Sequence, residues 1–201
     1  RRETFASAAD KVIVHRLEAE GGAIAFSLDY RGPRKVDYPS PDYSGPATDT
    51  RAAAETDWLG REVLGKARPD VVVVADGRDG VLITGRNESA PGVPAGLTYA
   101  LGVRALVEGG SVEATATGLV VRGARPVTLL IAAATSYTNY RAVSGDPAAL
   151  VRARLNAAAK KTYAALKADH VAAHRVLFGG FDLDLGRTAR ADLPTDERIG
   201  E

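Results

Sequence analysis

Residues 127–135 read VTLLIAAAT, and residues 136–150 continue as SYTNYRAVSGDPAAL. The first stretch is apolar on both faces of a strand, the pattern of a central strand covered from two sides. The second places Asp146 and Pro147 where a helix begins, with the carboxylate as N-cap and proline at the first helical position, where its missing N–H costs nothing. At about Thr135 the chain therefore changes from a two-residue period to a 3.6-residue one. The reading is mainly β with a C-terminal helical segment.

Upstream, β-branched runs separated by glycine and proline recur at 12–19 (VIVHRLEA), 23–31 (AIAFSLDYR), 71–76 (VVVVAD), 81–87 (VLITGRN), 97–108 (LTYALGVRALVE) and 119–123 (LVVRG). DGRDG before Val81 and EGG after Val107 carry the residues that tight hairpins need for positive φ. No helix of crossover length separates the runs, so an antiparallel sandwich is expected rather than a parallel α/β sheet. The run at 97–108 alternates more than VTLLIAAAT and is expected to have a wetter face. The domain reading is a sandwich over 1–136 with a long insertion at 31–69, a helical linker over 137–178, and a terminal strand (FDLDLG) with the start of a further connection over 179–201. In the linker, Tyr163, Leu166, His170, His174, Leu177 and Phe178 recur at spacings of three and four, one stripe expected to pack on the sandwich.

A 201-residue chain with 45% hydrophobic and 25% charged residues has the composition of an ordinary globular protein. Its formal net charge of +1 is evenly mixed, without the basic field that nucleic acid or an anionic membrane surface attracts. No apolar run reaches the roughly 20 residues of a membrane-spanning helix. The absence of cysteine removes disulfides, thiolate metal sites and a cysteine nucleophile, and leaves the compartment open. The chain contains no methionine, and its polar end, ADLPTDERIGE, follows what reads as a strand; the expectation is a piece of a longer protein.

The search for chemistry is mostly negative. His170 and His174 have the spacing of two metal ligands on one helix face, with Asp169 adjacent, but Val171 stands where the zincin pattern has its glutamate base, and Leu166 and Leu177 share the face. A packed pair of histidines is the reading, with no metal and no cofactor. Ser136 lacks the G-x-S-x-G elbow of a nucleophile. Asp196 and Glu197 are adjacent, so they point apart, whereas glycoside hydrolysis needs two carboxyls converging from different elements. No catalytic residue is assigned. The insertion at 31–69 is the exception to this blandness. It holds the one tryptophan, Trp58, with Tyr38, Tyr43, Asp42, Asp49 and Asp57, and Trp58 reads as packing on the sandwich, with a place at a ligand surface as the alternative.

RRETFASAADKVIVHRLEAE (1–20) resembles the N-terminal β-sandwich domain of family 95 glycoside hydrolases, the α-L-fucosidases and α-L-galactosidases, and so do AAATSYTNY (132–140) with the following DP, LFGGFDLDLG (177–186) and LPTDERI (193–199). The resemblance runs through almost the whole chain in order, apart from 31–69, which exceeds the hairpin expected there. It implies a partial supersandwich, a helical linker and then an inverting catalytic (α/α)6 barrel, with LPTDER resembling the start of that barrel and the general acid and base lying within it. It further implies carbohydrate as the partner of the whole, secreted or extracytoplasmic, enzyme, and the barrel as an intramolecular partner. In such an arrangement Trp58, Tyr43 and Tyr38 are the candidate substrate-binding residues, offering flat faces to sugar C–H groups, with Asp42, Asp49 and Asp57 as acceptors for hydroxyls and packing of Trp58 on the sandwich as the alternative. Two functions follow: an accessory domain that supports the barrel and lends it a loop, or an independent carbohydrate-binding or adhesion sandwich. The 6% aromatic content, mostly in strands, the helix and the insertion, favours the first.

Overall fold

The computed structural model describes residues 1–30, 71–87, 96–184 and 186–199. Nine strands make two antiparallel sheets: β1 (Arg2–Ser7), β2 (Val12–Leu17), β3 (Ile24–Asp29), β4 (Val72–Ala75), β5 (Gly80–Arg86), β6 (Thr98–Val107), β7 (Ser111–Ala114), β8 (Gly118–Ala124) and β9 (Val127–Thr135). The larger sheet has the order β1-β2-β9-β6-β5-β4 and the smaller β3-β8-β7. Three helices follow, α1 (Pro147–Ala158), α2 (Tyr163–Phe178) and α3 (Thr195–Ile199), with a 3-10 turn at Ala189–Asp192.

The larger sheet is the middle of three layers. Val81 and Ile83 of β5 and Val127 and Leu129 of β9 meet Leu119 and Val121 of the smaller sheet. Their neighbours Leu82, Leu130 and Ala132 point the other way, onto Val151 and Leu155 of α1 and Leu166 of α2. That is why VTLLIAAAT is apolar on both faces: sandwich on one side, helices on the other. The second face of β6 is not wet as expected. Ala100 and Gly102 on it are buried under α1, and a Cβ at Gly102 would lie 2.6 Å from Val151 Cγ1 and 2.7 Å from Leu155 Cδ1. Small residues there give clearance for a helix.

The hairpin reading holds for one turn and not for the other. DGRDG joins the paired strands β4 and β5, with Gly77 at φ +79. Gly109 and Gly110 also have positive φ, yet they carry the chain from one sheet to the other, because β5 and β9 already occupy both edges of β6. The expected strand does not form over the described residues 181–184 of FDLDLG, which are irregular, with Phe181 and Leu183 exposed; among the described residues no strand pairs with them.

Asp146 caps α1 as its side chain implies, Oδ1 accepting from Ala149 N at 3.0 Å. Arg152 donates to Asp76 at 2.8 Å and Arg104 to Asn156 at 2.6 Å, tying α1 to the β4–β5 turn and to strand β6. Thr162 caps α2. Among the described residues no helix is long and apolar enough to cross a membrane.

Candidate functional site: a half-seated helix and a rigid loop

The first half of α2 is built into the sandwich. Leu166 is fully buried. Phe5 of β1 packs against Tyr163, ring centroids 6.1 Å apart, and the Arg16 guanidinium lies 4.5 Å over the Tyr163 ring, where the ring's negative face attracts it. Polar groups clasp the edges of this contact. Lys161 Nζ lies 2.5 Å from Asp10 Oδ1, in the β1–β2 turn, and 2.8 Å from Asp169 Oδ2; Lys167 pairs with Glu3. Burial pushes the Asp10 carboxyl up, but hydrogen bonds from Lys161 and Ser7 outweigh it and hold it below the usual carboxylate range. The hydrogen bond from Lys167 holds Glu3 down, and those to Asp10 and Asp169 hold Lys161 above the usual ammonium range. Tyr163 is pushed up to about 12, first by burial and then by the neighbouring Glu3 carboxylate. Its hydroxyl is buried, and among the described residues no group meets it at hydrogen-bonding geometry, so Glu3 acts on it as a nearby charge.

A ladder of rings then leads outward. His170 stacks on Phe5 at 4.8 Å, His174 lies parallel to His170 at 6.2 Å, and Phe178 meets His174 at 5.4 Å. Successive rings along the helix are four residues apart, the spacing that puts side chains one above another. At its far end the support is gone. Val176, Leu177 and Phe178 are 76%, 79% and 77% exposed. Three consecutive residues span about 200° of a helix, just over half its circumference, and a helix end apolar on more than one side is built for burial. The single packed stripe expected from the sequence is therefore corrected: Tyr163, Leu166 and His170 pack, whereas His174, Leu177 and Phe178 do not.

The second feature is the loop after β9. The β9–β6–β5–β4 registers bring Thr135, Thr98, Arg86 and Val72 to one end of the sheet, the end at which residues 31–70 and 88–95 rejoin it. Ser136 is 2% exposed and its Oγ accepts from Thr98 N at 3.0 Å. It is thus a structural hydroxyl that fastens the loop, not a nucleophile. Beyond it Tyr137 and Tyr140 are 58% and 80% exposed.

Residues 1–140 match the profile of the family described as "Glycosyl hydrolase family 65, N-terminal domain". The chain belongs to that family. The nine described strands of this glycosyl hydrolase N-terminal domain, and the loop as far as Tyr140, lie within the matched residues, and the described helices lie beyond them. The match supports a glycoside hydrolase N-terminal domain, as the motifs at 1–20 and 132–140 suggest, and leaves the finer assignment to fucosidases open. No curated protein matches the chain.

Tyr38, Tyr43 and Trp58 lie outside the described residues. His170 is half-buried and His174 exposed within the ring ladder; among the described residues no group of three or more His, Cys, Asp or Glu side chains is placed to hold a metal. Asp196 and Glu197 sit exposed in the first turn of α3, where the helix dipole favours carboxylates. Two features went unread in the sequence. The Lys161–Asp10 clasp joins residues too far apart for any local pattern. The exposure of Tyr137 and Tyr140 did have a signal, two aromatics in a Ser/Thr/Asn-rich run just past a strand.

Proposed function

We propose that this chain is the non-catalytic N-terminal sandwich of an inverting glycoside hydrolase of the α-L-fucosidase and α-L-galactosidase type, and that α2 joins it to a catalytic (α/α)6 barrel. The observation that carries the reading is the exposed Val176–Leu177–Phe178 tip on a helix whose other half is fastened to the sandwich. A connector between two domains needs one end seated on each, and aliphatic and aromatic side chains are what a durable intramolecular contact buries. Membership in a glycosyl hydrolase N-terminal domain family supports such a partner, and the motifs at 132–140, 177–186 and 193–199 support the fucosidase type. Carbohydrate reaches the molecule through the barrel. Tyr38, Tyr43 and Trp58 are proposed to contribute to the wall of its pocket, since residues 31–70 rejoin the sheet at a strand end.

The test is made on the full-length enzyme. It should hydrolyse an aryl α-L-fucoside or α-L-galactoside with inversion, read by NMR of the first-formed sugar, while the 201-residue chain alone is inactive. Leu177→Asp with Phe178→Asp should loosen the interdomain contact, raising hydrogen exchange along the second half of α2 in the full-length enzyme. Turnover by the isolated chain, or unchanged exchange in the double variant, refutes the accessory role; retention of configuration refutes the inverting assignment.

A further inference from the structure

We infer that the loop at 136–145 is a saccharide-contact site, in which Tyr137 and Tyr140 stack on the C–H face of a neutral pyranoside and Arg141 donates to its hydroxyls. The inference rests on the glycoside hydrolase reading and specifies a contact that the chain itself makes.

Three observations carry it. First, the loop is held still. Thr138 N and Asn139 N donate to Ala142 O at 3.0 and 3.2 Å, Ala142 N returns to Asn139 O at 3.0 Å, and Arg141 N donates to Asn139 Oδ1 at 2.9 Å. Both ends are fastened as well, Gly145 N to Ser136 O at 2.9 Å and Ser136 N to Thr98 O at 2.8 Å. Such a loop presents its side chains already ordered, which removes much of the entropic cost of binding. Second, the two exposed rings stand three residues apart on this frame. The Arg141 guanidinium lies 4.9 Å from the Tyr140 ring centre, orienting the ring and leaving N–H donors beside it. Among the described residues Arg141 has no carboxylate partner. Third, the chemistry differs from that of the α2 tip. The tip exposes Val, Leu and Phe, fit for a protein core. The loop exposes Tyr, Thr, Asn and Arg, with Val143 as its exposed aliphatic side chain. Flat faces bordered by donors and acceptors match a sugar, which carries an apolar C–H face rimmed with hydroxyls.

The 201-residue chain is titrated with fucosyllactose and separately with lactose, followed by saturation-transfer NMR and by the ring resonances of Tyr137 and Tyr140. Fucosyllactose should shift both tyrosines with a Kd on the order of millimolar, consistent with a few exposed contacts. Tyr140→Ala should weaken binding about tenfold, as loss of a stacked ring does, and Tyr140→Phe should keep it within about threefold because the ring remains. The melting temperature of both variants should stay unchanged, since Tyr140 is 80% exposed. Equal binding of lactose upholds the loop and counts against fucose as the recognised sugar. Absence of binding, or binding untouched by Tyr140→Ala, overturns the inference while leaving the hydrolase reading to its own activity assay. Burial of both tyrosines in the full-length enzyme with no response to sugar overturns it too, and assigns the loop to a protein contact.

Discussion

The two halves of α2 have the same kind of sequence and opposite fates. Around Leu166 the helix is covered by β1, β2 and a clasp of ion pairs; around Leu177 the same residue type stands 79% in solvent, against 0% for Leu166. Amphipathic spacing specifies which side of a helix is apolar, but whether that side is covered depends on how far the neighbouring sheet extends. β1 is the edge strand of the larger sheet, and the helix continues past what that edge can cover. A long helix can thus be a core element at one end and an exposed apolar surface at the other.

The largest break in this comparison should come from paired substitutions. Leu166→Ala is expected to cost about 2–5 kcal/mol through lost burial and a residual cavity, a fall in melting temperature of roughly 5–15 °C for a domain of this size. Leu177→Ala in the same 201-residue chain should stay within about 0.5 kcal/mol, as exposed substitutions do. Thermal unfolding of the two variants checks both; equal losses would mean that the tip is seated after all.

Gly102→Ala sharpens the comparison from the sheet side. The new methyl would meet the side-chain tips of Val151 and Leu155 well inside contact distance, so these buried side chains, or α1 with them, must shift, at about 1–3 kcal/mol. Urea unfolding should show this as a lower midpoint with an unchanged slope, and no loss at all would show that α1 is not tightly seated on β6.

The smallest effect should be electrostatic and confined to the clasp. Asp10 is held below its ordinary range in the folded chain. Its contribution is therefore complete above the unfolded carboxyl value, about 3.9, and is lost as pH falls through the lower folded value. Lys161, raised in the folded chain, contributes fully below about 10.4 and loses its share as pH rises through the folded value. Asp10→Asn should lower stability on the plateau between these limits, and the gap from the unmodified chain should close in strong acid. A gap that persists at low pH would assign Asp10 to turn geometry rather than to charge.

Much of the sandwich was legible because burial writes a period into strands. Val127, Leu129, Leu130 and Ala132 announce a strand covered on both faces, and Asp146-Pro147 announces a helix start, from chemistry internal to a few residues. The errors have a common form. EGG supplied the right φ angles but not the partner strand, since which edge is already occupied is a property of the whole sheet. The alternation of 97–108 implied a wetter face, but Ala100 and Gly102 on that face proved to be clearance for α1. FDLDLG alternates as a strand does, and among the described residues no edge pairs with residues 181–184.

The sequence by itself determined the antiparallel strands, the onset of the helices and the absence of cysteine chemistry, because dihedral preference, capping and composition act within a residue's own neighbourhood. Only the tertiary structure decided that Leu166 is core and Leu177 surface, that Asp10 and Lys161 meet across 151 positions of chain, and that Ser136 is a buried fastener while Tyr137 beside it faces solvent. Each of these depends on where a sheet ends and what lies beyond its edge. That boundary is set by the packing of distant segments, and a local pattern carries no record of it.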